Sequence, residues 1–167
     1  HSIMGELIEL RPTMNFDMDK TIDDAIQSIV SRENNLVKCG YQDIDRFSGG
    51  FTKGEITIVG GRPGHGKTTF LINLASKLVH QGHKVLLFNR ELPNTELIKK
   101  LICLESQKLS YGMVSNGTFG ESDIEELEKV KNAIKLLYTS DRFAMFDNLK
   151  DFKQSQVEVK NFKPDVI

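Results

Sequence analysis

The chain has 167 residues, 39% of them hydrophobic and 27% charged, which suits one well-buried core and is too short for two ordinary domains. Its formal net charge of -1 gives no electrostatic sign of a nucleic-acid-binding surface within these residues. Cys39 and Cys103 form no Cys-x-x-Cys pair, and neither a signal peptide nor a run of roughly 18 apolar residues is found, so we expect a cytoplasmic, intracellular protein without membrane contact.

Residues 1–34 are predicted to form a tail followed by a linker helix. Thr21 is the predicted N-cap, and acidic residues follow it in the first turn. Apolar residues at helical spacing predict a short amphipathic helix over residues 21–31; they are Ile22, Ile26, Ile29 and Val30. Two packings suit such a helix: against the chain's own core, or on a neighbouring subunit.

The middle of the chain alternates strand and helix patterns. Residues 40–54 are rich in turn formers, and residues 55–59 (Glu-Ile-Thr-Ile-Val) predict a buried strand. A glycine-rich stretch then leads into a helix predicted over residues 67–80, with Gly82 placed to end it. Residues 84–88 predict a second strand. The predicted inner face of the helix consists of Phe70, Leu71, Leu74, Ala75 and Leu78.

The last third continues this alternation. Asn94 is the predicted N-cap of a helix, residues 110–120 predict a loop, and Ser122 with Glu125 predict a capping box. The helix behind that box is predicted to turn Ile124, Leu127, Ile134 and Leu137 inward. Residues 143–146 predict a third strand, and residues 165–167 predict the start of a fourth. Strands that alternate with helices predict an α/β fold with a parallel sheet flanked by helices.

A phosphate-binding loop follows the first predicted strand. It reads Gly61-Arg62-Pro63-Gly64-His65-Gly66-Lys67-Thr68, followed by Thr69. The glycines allow a tight turn whose amides converge on phosphates at the N-terminus of the next helix. Lys67 brings a positive charge to the β- and γ-phosphates, and the Thr68 hydroxyl suits a Mg²⁺ shell. We assign no chemical role to Pro63 or His65. All nine residues are predicted to bind ATP with Mg²⁺.

Hydrolysis also needs a carboxylate that activates the attacking water near the γ-phosphate. At the carboxyl ends of parallel strands, side chains face the same crevice as the phosphate-binding loop. Glu91 follows the second predicted strand, and Asp147 follows the third. By position, either acid suits this role, and each is equally well explained as an exposed loop acid.

Several segments resemble DnaB-like replicative helicases. The similar segments are Gly61-Arg62-Pro63 with Gly66-Lys67-Thr68-Thr69-Phe70, Gly40-Tyr41-Gln42-Asp43-Ile44-Asp45 with Gly49-Gly50-Phe51, and Val85-Leu86-Leu87-Phe88-Asn89-Arg90-Glu91-Leu92. In this comparison Glu91 falls on the family's catalytic glutamate, and Lys67 falls on the lysine of its Walker A motif. Asn89-Arg90 replaces the family's usual Ser-Leu, and a pairing of Arg90 with Glu91 would lower the basicity of that carboxylate.

The resemblance implies that residues 35–167 are the amino-terminal part of a RecA-like motor domain, interrupted at the Walker B strand. Residues 163–167 resemble the start of that strand, and the family's Walker B aspartate, DNA-binding loops and arginine finger come later in its sequences. The implied activity is ATP hydrolysis coupled to translocation on single-stranded DNA and duplex unwinding, in a homo-oligomeric, hexameric ring. DNA would be contacted by regions outside this fragment, which is expected to be inactive or weakly active by itself.

Two other functions also suit a phosphate-binding loop. One is that of a RecA-type recombinase or repair ATPase, although Arg62-Pro63 argues against it. The other is that of a nucleotide-binding regulator or loader that does not turn over.

Overall fold

The computed structural model describes residues 17–31, 35–106, 108–139, 141–148 and 151–167. The chain divides into two units, 1–37 and 38–167. Most of the predicted tail lies outside the described residues, and the predicted domain boundary after residue 34 stays a prediction.

The first unit contains helix α1 (Met18–Val30) and strand β1 (Leu36–Val37). The prediction that Thr21 caps the helix was wrong, because Asp17 Oδ1 accepts the Lys20 N–H at 3.1 Å and starts the helix earlier. The Thr21 hydroxyl instead donates to the Asp17 carbonyl at 2.6 Å. The helix ends at Ser31, as predicted. No α1 side chain is buried, and its large apolar side chains are exposed; they are Met18, Ile22, Ile26, Ile29 and Val30.

The described part of the second unit contains six helices and three strands, and two of the strands form a small parallel sheet. Its elements are α2 (Gln42–Ser48), β2 (Phe51–Thr52), α3 (Lys67–His80), β3 (Val85–Phe88), α4 (Asn94–Glu105), α5 (Tyr111–Asn116), α6 (Glu121–Leu137), β4 (Phe143–Phe146) and α7 (Phe152–Phe162). The predicted helix over residues 67–80 and the predicted strand over residues 143–146 are confirmed, and the strand predicted over residues 84–88 forms from Val85. No described helix is long and apolar enough to cross a bilayer.

Strand β3 is the centre of the sheet. It pairs in parallel with β4, with Val85 opposite Phe143 and Phe88 opposite Phe146. On its other edge, Val166 forms a parallel bridge to Val85, and the Leu86 N–H donates to the Val166 carbonyl at 2.9 Å. The parallel α/β fold is therefore confirmed, and the predicted fourth strand begins as a single bridge.

The strand predicted over residues 55–59 was wrong. These residues form no strand, and the side chains of Ile56 and Ile58 are 90% and 87% exposed. A strand needs a neighbour for its backbone N–H and C=O groups, and residues 56–59 pair with no other described strand. The apolar alternation is present in the sequence, but no partner strand stabilises it.

Two short helices, α2 and α5, lie where turns or a loop were predicted. The Asp45 carboxylate supports the entry to α2 by accepting the Cys39 and Gly40 N–H groups at 2.8 and 2.9 Å. Ser110 caps α5 by accepting the Met113 N–H at 3.3 Å, and Gly117 ends it with φ of 67°. Each helix is only two turns or less, so its glycine-rich surroundings hide the helical period in the sequence.

Two predicted helix starts were also wrong. Helix α6 starts after Gly120, whose N–H donates to the Asp123 carboxylate at 2.9 Å, and the capping box predicted from Ser122 does not form. Asn94 is the first residue of α4, and Pro93 occupies the N-cap position. Ile124, which was predicted to point inward, is exposed, and Val130 is the buried residue of α6.

The core lies between α3, α4 and the sheet. Ile72 of α3 clusters with Leu97 and Leu101 of α4, and partly buried side chains of β3, β4 and α6 pack against them. Of the predicted inner face of α3, Leu74, Ala75 and Leu78 are buried, whereas Leu71 is exposed. This packing fixes α3, and with it the loop that precedes the helix.

Candidate nucleotide-binding site

The glycine-rich loop leads directly into the N-terminus of α3. Gly64 and Gly66 have φ of 79° and 83°, a left-handed conformation that residues with a Cβ rarely adopt. A Cβ at either glycine would meet no atom within 4 Å, so the backbone angle, not crowding, requires glycine there. Gly66 occupies the N-cap position of α3 and offers no side chain to the first amides of the helix. These amides are therefore available to an anion.

The Lys67 side chain hydrogen-bonds to the backbone of this loop. Its Nζ donates to the Gly61 carbonyl at 3.0 Å and to the Arg62 carbonyl at 3.2 Å. A Cβ at Gly61 would lie 3.4 Å from Lys67 Cγ, so glycine at this position leaves room for the lysine stem. The ammonium group is thus held at the mouth of the loop without a carboxylate partner among the described residues.

A cavity of about 410 Å³ lies over the loop and the start of α3. The cavity is lined by residues of the loop and α3 and also by Glu91, Leu92 and Lys100. The lining residues of the loop and α3 are Pro63, Gly64, Gly66, Lys67, Thr68 and Thr69. The structure therefore brings Glu91, Lys67 and Thr68 to one cavity, and their roles there stay predictions.

The Asn89 side chain shapes the turn that carries Glu91. Its Oδ1 accepts the Glu91 N–H at 3.2 Å and the Leu92 N–H at 3.3 Å, and its Nδ2 donates to the Leu92 carbonyl. The turn leaves Glu91 exposed, and no hydrogen bond or ion pair engages its carboxylate in the described part of the chain. The pairing of Arg90 with Glu91 that the sequence leaves open is not among the ion pairs of the described residues.

Comparison with known proteins places the chain in a family. Residues 37–161 match the family described as DnaB-like helicase C terminal domain. The chain belongs to this DnaB-like family. The resemblance seen in the sequence is confirmed.

Replicative helicases are among its relatives. Replicative DNA helicase DnaB of Nostoc sp. is 29% identical over 114 residues, which cover 65% of this chain and 13% of the relative. The Mycoplasma pneumoniae DnaB is 34% identical over 86 residues, 47% of this chain and 18% of the relative. The Treponema pallidum DnaB is 29% identical over 126 residues, 69% of this chain and 29% of the relative. The chain thus spans less than a third of the length of these relatives.

Asp147, the second candidate acid in this DnaB-like chain, has a structural contact. Its Oδ2 accepts the Asn94 N–H at 2.7 Å, and the Asn94 Nδ2 donates to the Met145 carbonyl at 3.2 Å. These hydrogen bonds attach the start of α4 to the end of β4. Asp147 does not line the cavity over the loop, so the geometry favours Glu91 as the acid near the phosphates.

The other predicted residues of the loop have smaller roles in this geometry. Gly61, Arg62 and His65 do not line the cavity, and the His65 N–H donates to the Arg62 carbonyl at 3.2 Å within the turn. Across the described ranges, no group of three or more His, Cys, Asp or Glu side chains could hold a metal ion. Thr68 lines the cavity, and its role as a Mg²⁺ ligand stays a prediction.

Lys100 was missed by the sequence analysis. Its position on α4, nine residues after Glu91, reads as part of a solvated helix face. The signal that could have identified it is its place on the helix that directly follows the candidate acid. Only the packing of α4 beside α3 shows that the two lysines, Lys67 and Lys100, border one cavity.

Proposed function

We propose that this chain is the nucleotide-binding part of a RecA-like motor domain that drives a replicative DNA helicase by ATP hydrolysis. The observation that carries the proposal is the single cavity that Glu91, Lys67 and Thr68 line together. The family match and the helicase relatives support it, and they do not favour a recombinase or a regulator without turnover.

The loop and the first turn of α3 would bind the phosphates of ATP. The left-handed glycines turn the backbone, and the first amides of α3 have no side-chain cap. These amides would donate to the phosphates, and the Lys67 ammonium would exchange its contacts with the Gly61 and Arg62 carbonyls for the β- and γ-phosphates. The Thr68 hydroxyl suits one position of a Mg²⁺ shell. The ion would neutralise charge that develops on the phosphate oxygens during transfer. The other residues predicted to bind ATP, including Arg62, form the loop backbone and receive no separate chemical role.

Glu91 would orient and deprotonate the attacking water. Its carboxylate is exposed to the cavity and is engaged by no described side chain, so its oxygens are free to accept a proton. The Asn89 side chain accepts the Glu91 N–H and so fixes the backbone position from which the Glu91 side chain extends. A general base in this position typically contributes about 10²- to 10⁴-fold to the rate.

The rest of the helicase cycle would need parts outside this chain. Translocation on single-stranded DNA and duplex unwinding are proposed for a longer protein, since this chain has a net charge of -1 and covers 13% to 29% of the three relatives described above. The parent protein would act in the cytoplasm as a homo-oligomeric, hexameric ring. The exposed apolar face of α1 suits docking on a neighbouring subunit.

The Walker B strand is proposed to continue from Val166. Val166 already pairs with the edge of β3 that β4 leaves free. A second cavity, of about 280 Å³, lies between Val59 and Leu87 and is also bordered by Glu91. A strand that runs on from Val166 through this space would bring its acid close to Thr68, where it would support Mg²⁺.

Calorimetric titration with Mg²⁺ and ATP tests the nucleotide site. Lys67→Ala should weaken ATP binding by at least about tenfold, because its ammonium meets the polyphosphate directly. Lys77→Ala is the matched control, since Lys77 lies on the same helix but contacts the Tyr41 ring at 4.9 Å. Equal affinities of wild type and Lys67→Ala, with native circular dichroism spectra, would remove Lys67 from the site and contradict the proposal.

A further inference from the structure

Lys100 is a second cation at the cavity over the phosphate-binding loop. It lies on α4 and lines the cavity together with Glu91, Leu92 and the loop residue Lys67. Two ammonium groups that border one cavity raise the local positive potential, which favours a multiply charged anion. A polyphosphate is the anion that the loop itself is built to bind.

The charge of Lys100 is only partly compensated, because the pKa of Glu96 is lowered first by its hydrogen bond with Lys99 and less by the charge of Lys100. Its Nζ lies 4.3 Å from the centroid of the Tyr111 ring, and it forms no ion pair with a described carboxylate. The nearby Glu96 is already engaged, because it accepts Lys99 Nζ at 2.7 Å and the Tyr111 hydroxyl at 3.2 Å. A cation that rests on a ring is held in place but not neutralised, so it keeps its attraction for an anion.

The residues that line the cavity together with Lys100 indicate which phosphate it would meet. The loop amides and the start of α3 would take the inner phosphates. Glu91 lines the same cavity, and it must lie near the terminal phosphate if it activates the attacking water. Lys100 and Glu91 both belong to the part of the chain that follows β3, whereas the other lining residues except Leu92 belong to the loop and α3. We propose that Lys100 binds the terminal phosphate of a nucleoside triphosphate and makes the site prefer ATP over ADP, an inference that rests on the proposed function.

Tyr111 is the positioning residue in this proposal. Its ring carries the Lys100 ammonium, and its hydroxyl is fixed by Glu96 on the same helix as Lys100. Tyr111→Phe keeps the ring, so it should keep the preference for ATP, whereas Tyr111→Leu removes the ring and should lower the preference. The difference between the two Tyr111 variants separates an effect on the position of the Lys100 ammonium from an effect on the packing of α5.

The test is calorimetric titration of the whole chain with Mg²⁺-ATP and with Mg²⁺-ADP. Lys100→Met keeps the aliphatic stem and should weaken ATP binding by about tenfold, the scale of a charge-assisted hydrogen bond, with less than about a twofold change for ADP. Lys100→Arg should restore most of the preference. Lys99→Met is the matched control, since Lys99 is paired with Glu96, and it should leave both affinities unchanged.

The outcomes separate this inference from the proposed function. If wild type binds ATP through Lys67 but Lys100→Met has unchanged ATP affinity, the role of Lys100 is refuted and the nucleotide site stands. Equal losses for ATP and ADP would also refute a contact with the terminal phosphate. If wild type binds neither nucleotide, both proposals fail. Thermal unfolding of each variant identifies misfolding, and Lys100→Arg then decides the question, because it keeps both the stem and the charge.

Discussion

Removal of the Glu105 carboxylate should destabilise the packing behind the phosphate-binding helix. Glu105 ends α4, and its side chain is 13% exposed. It accepts the Ser76 hydroxyl of α3 at 2.7 Å, the Tyr138 hydroxyl at the end of α6 at 2.6 Å, and His80 Nε2 at 3.0 Å. One carboxylate thus joins three helices, and one of them is the helix that presents Lys67.

The expected cost follows from the groups left unpaired. In Glu105→Ala, the Ser76 and Tyr138 hydroxyls lose their acceptor in a region that excludes most water, and each unsatisfied group costs about 1–3 kcal/mol. We expect a loss of about 3 kcal/mol in the free energy of unfolding, or about 6–12 °C in Tm for a chain of this size. Glu128→Ala is the control. The Glu128 side chain is 58% exposed, so its ion pair with Lys131 should contribute less than about 1 kcal/mol to the free energy of unfolding.

The same carboxylate predicts a pH dependence. Burial raises the pKa of Glu105, but hydrogen bonds from Tyr138, Ser76 and His80 lower it more, so the pKa lies below the ordinary value of 4.5. Because the pKa of Glu105 is lower in the folded state, its ionised carboxylate stabilises the fold at every pH above its unfolded-state pKa. This stabilisation is lost as the pH falls through the folded-state pKa. Glu105→Gln, which has no charge to lose, should therefore lose less stability than wild type below about pH 4.5.

Urea denaturation followed by circular dichroism measures both effects. Unfolding free energies at neutral pH compare wild type, Glu105→Ala and Glu128→Ala, and a series toward about pH 3 compares wild type with Glu105→Gln. An unfolding free energy of Glu105→Ala within about 0.5 kcal/mol of wild type would refute the expected loss, because ordinary surface substitutions cause changes of that size. Parallel acid profiles of wild type and Glu105→Gln would refute the pKa argument.

Three further predictions concern the nucleotide site. In a chain extended through the Walker B strand, Glu91→Gln should keep ATP affinity within about twofold and slow single-turnover phosphate release roughly 100-fold. Unchanged release would contradict the role of Glu91 and make Asp147 the candidate acid. Gly66→Ala should lower the free energy of unfolding by about 1–2 kcal/mol and weaken ATP binding, because Gly66 has a φ of 83°. Gly60→Ala is the control in thermal unfolding and should be nearly neutral. A Cβ at Gly60 would also meet no atom within 4 Å, but Gly60 has no positive φ. The chain alone should hydrolyse ATP poorly and bind a labelled single-stranded oligonucleotide negligibly in fluorescence anisotropy, and robust DNA-stimulated turnover would contradict the partial-motor proposal.

The sequence predicts those parts of the site that depend on short, local patterns. The loop before Lys67 and the helix after it follow from glycine spacing and from apolar residues at helical intervals, and α3 forms over the predicted range. Glu91 could be placed because the carboxyl ends of parallel strands share one edge of a sheet. The first inference uses only neighbouring residues, whereas the second also needs the general rule that parallel strands end at one edge.

The parts that the sequence did not predict depend on distant partners. Asn94 starts α4 through a hydrogen bond to Asp147, 53 positions away, and no local rule predicts such a contact. Lys100 borders the cavity only because α4 packs beside α3 through Ile72 and Leu97. Helical period places Lys100 on a face of α4 but does not say which element that face meets.

The segment over residues 55–59 shows why a strand pattern alone does not make a strand. Its alternation suits a sheet, yet the side chains of Ile56 and Ile58 are exposed to solvent. On the edge of β3 that β4 leaves free, Val166 contributes a single bridge to Val85 and one hydrogen bond from the Leu86 N–H. A cavity of about 280 Å³ is lined by both Val59 and Leu87, so residues 55–59 do not reach β3. A strand forms only where its backbone N–H and C=O groups find a neighbouring strand, and among the described strands none lies beside residues 55–59. Apolar alternation is therefore necessary for this segment to form a strand, but it is not sufficient.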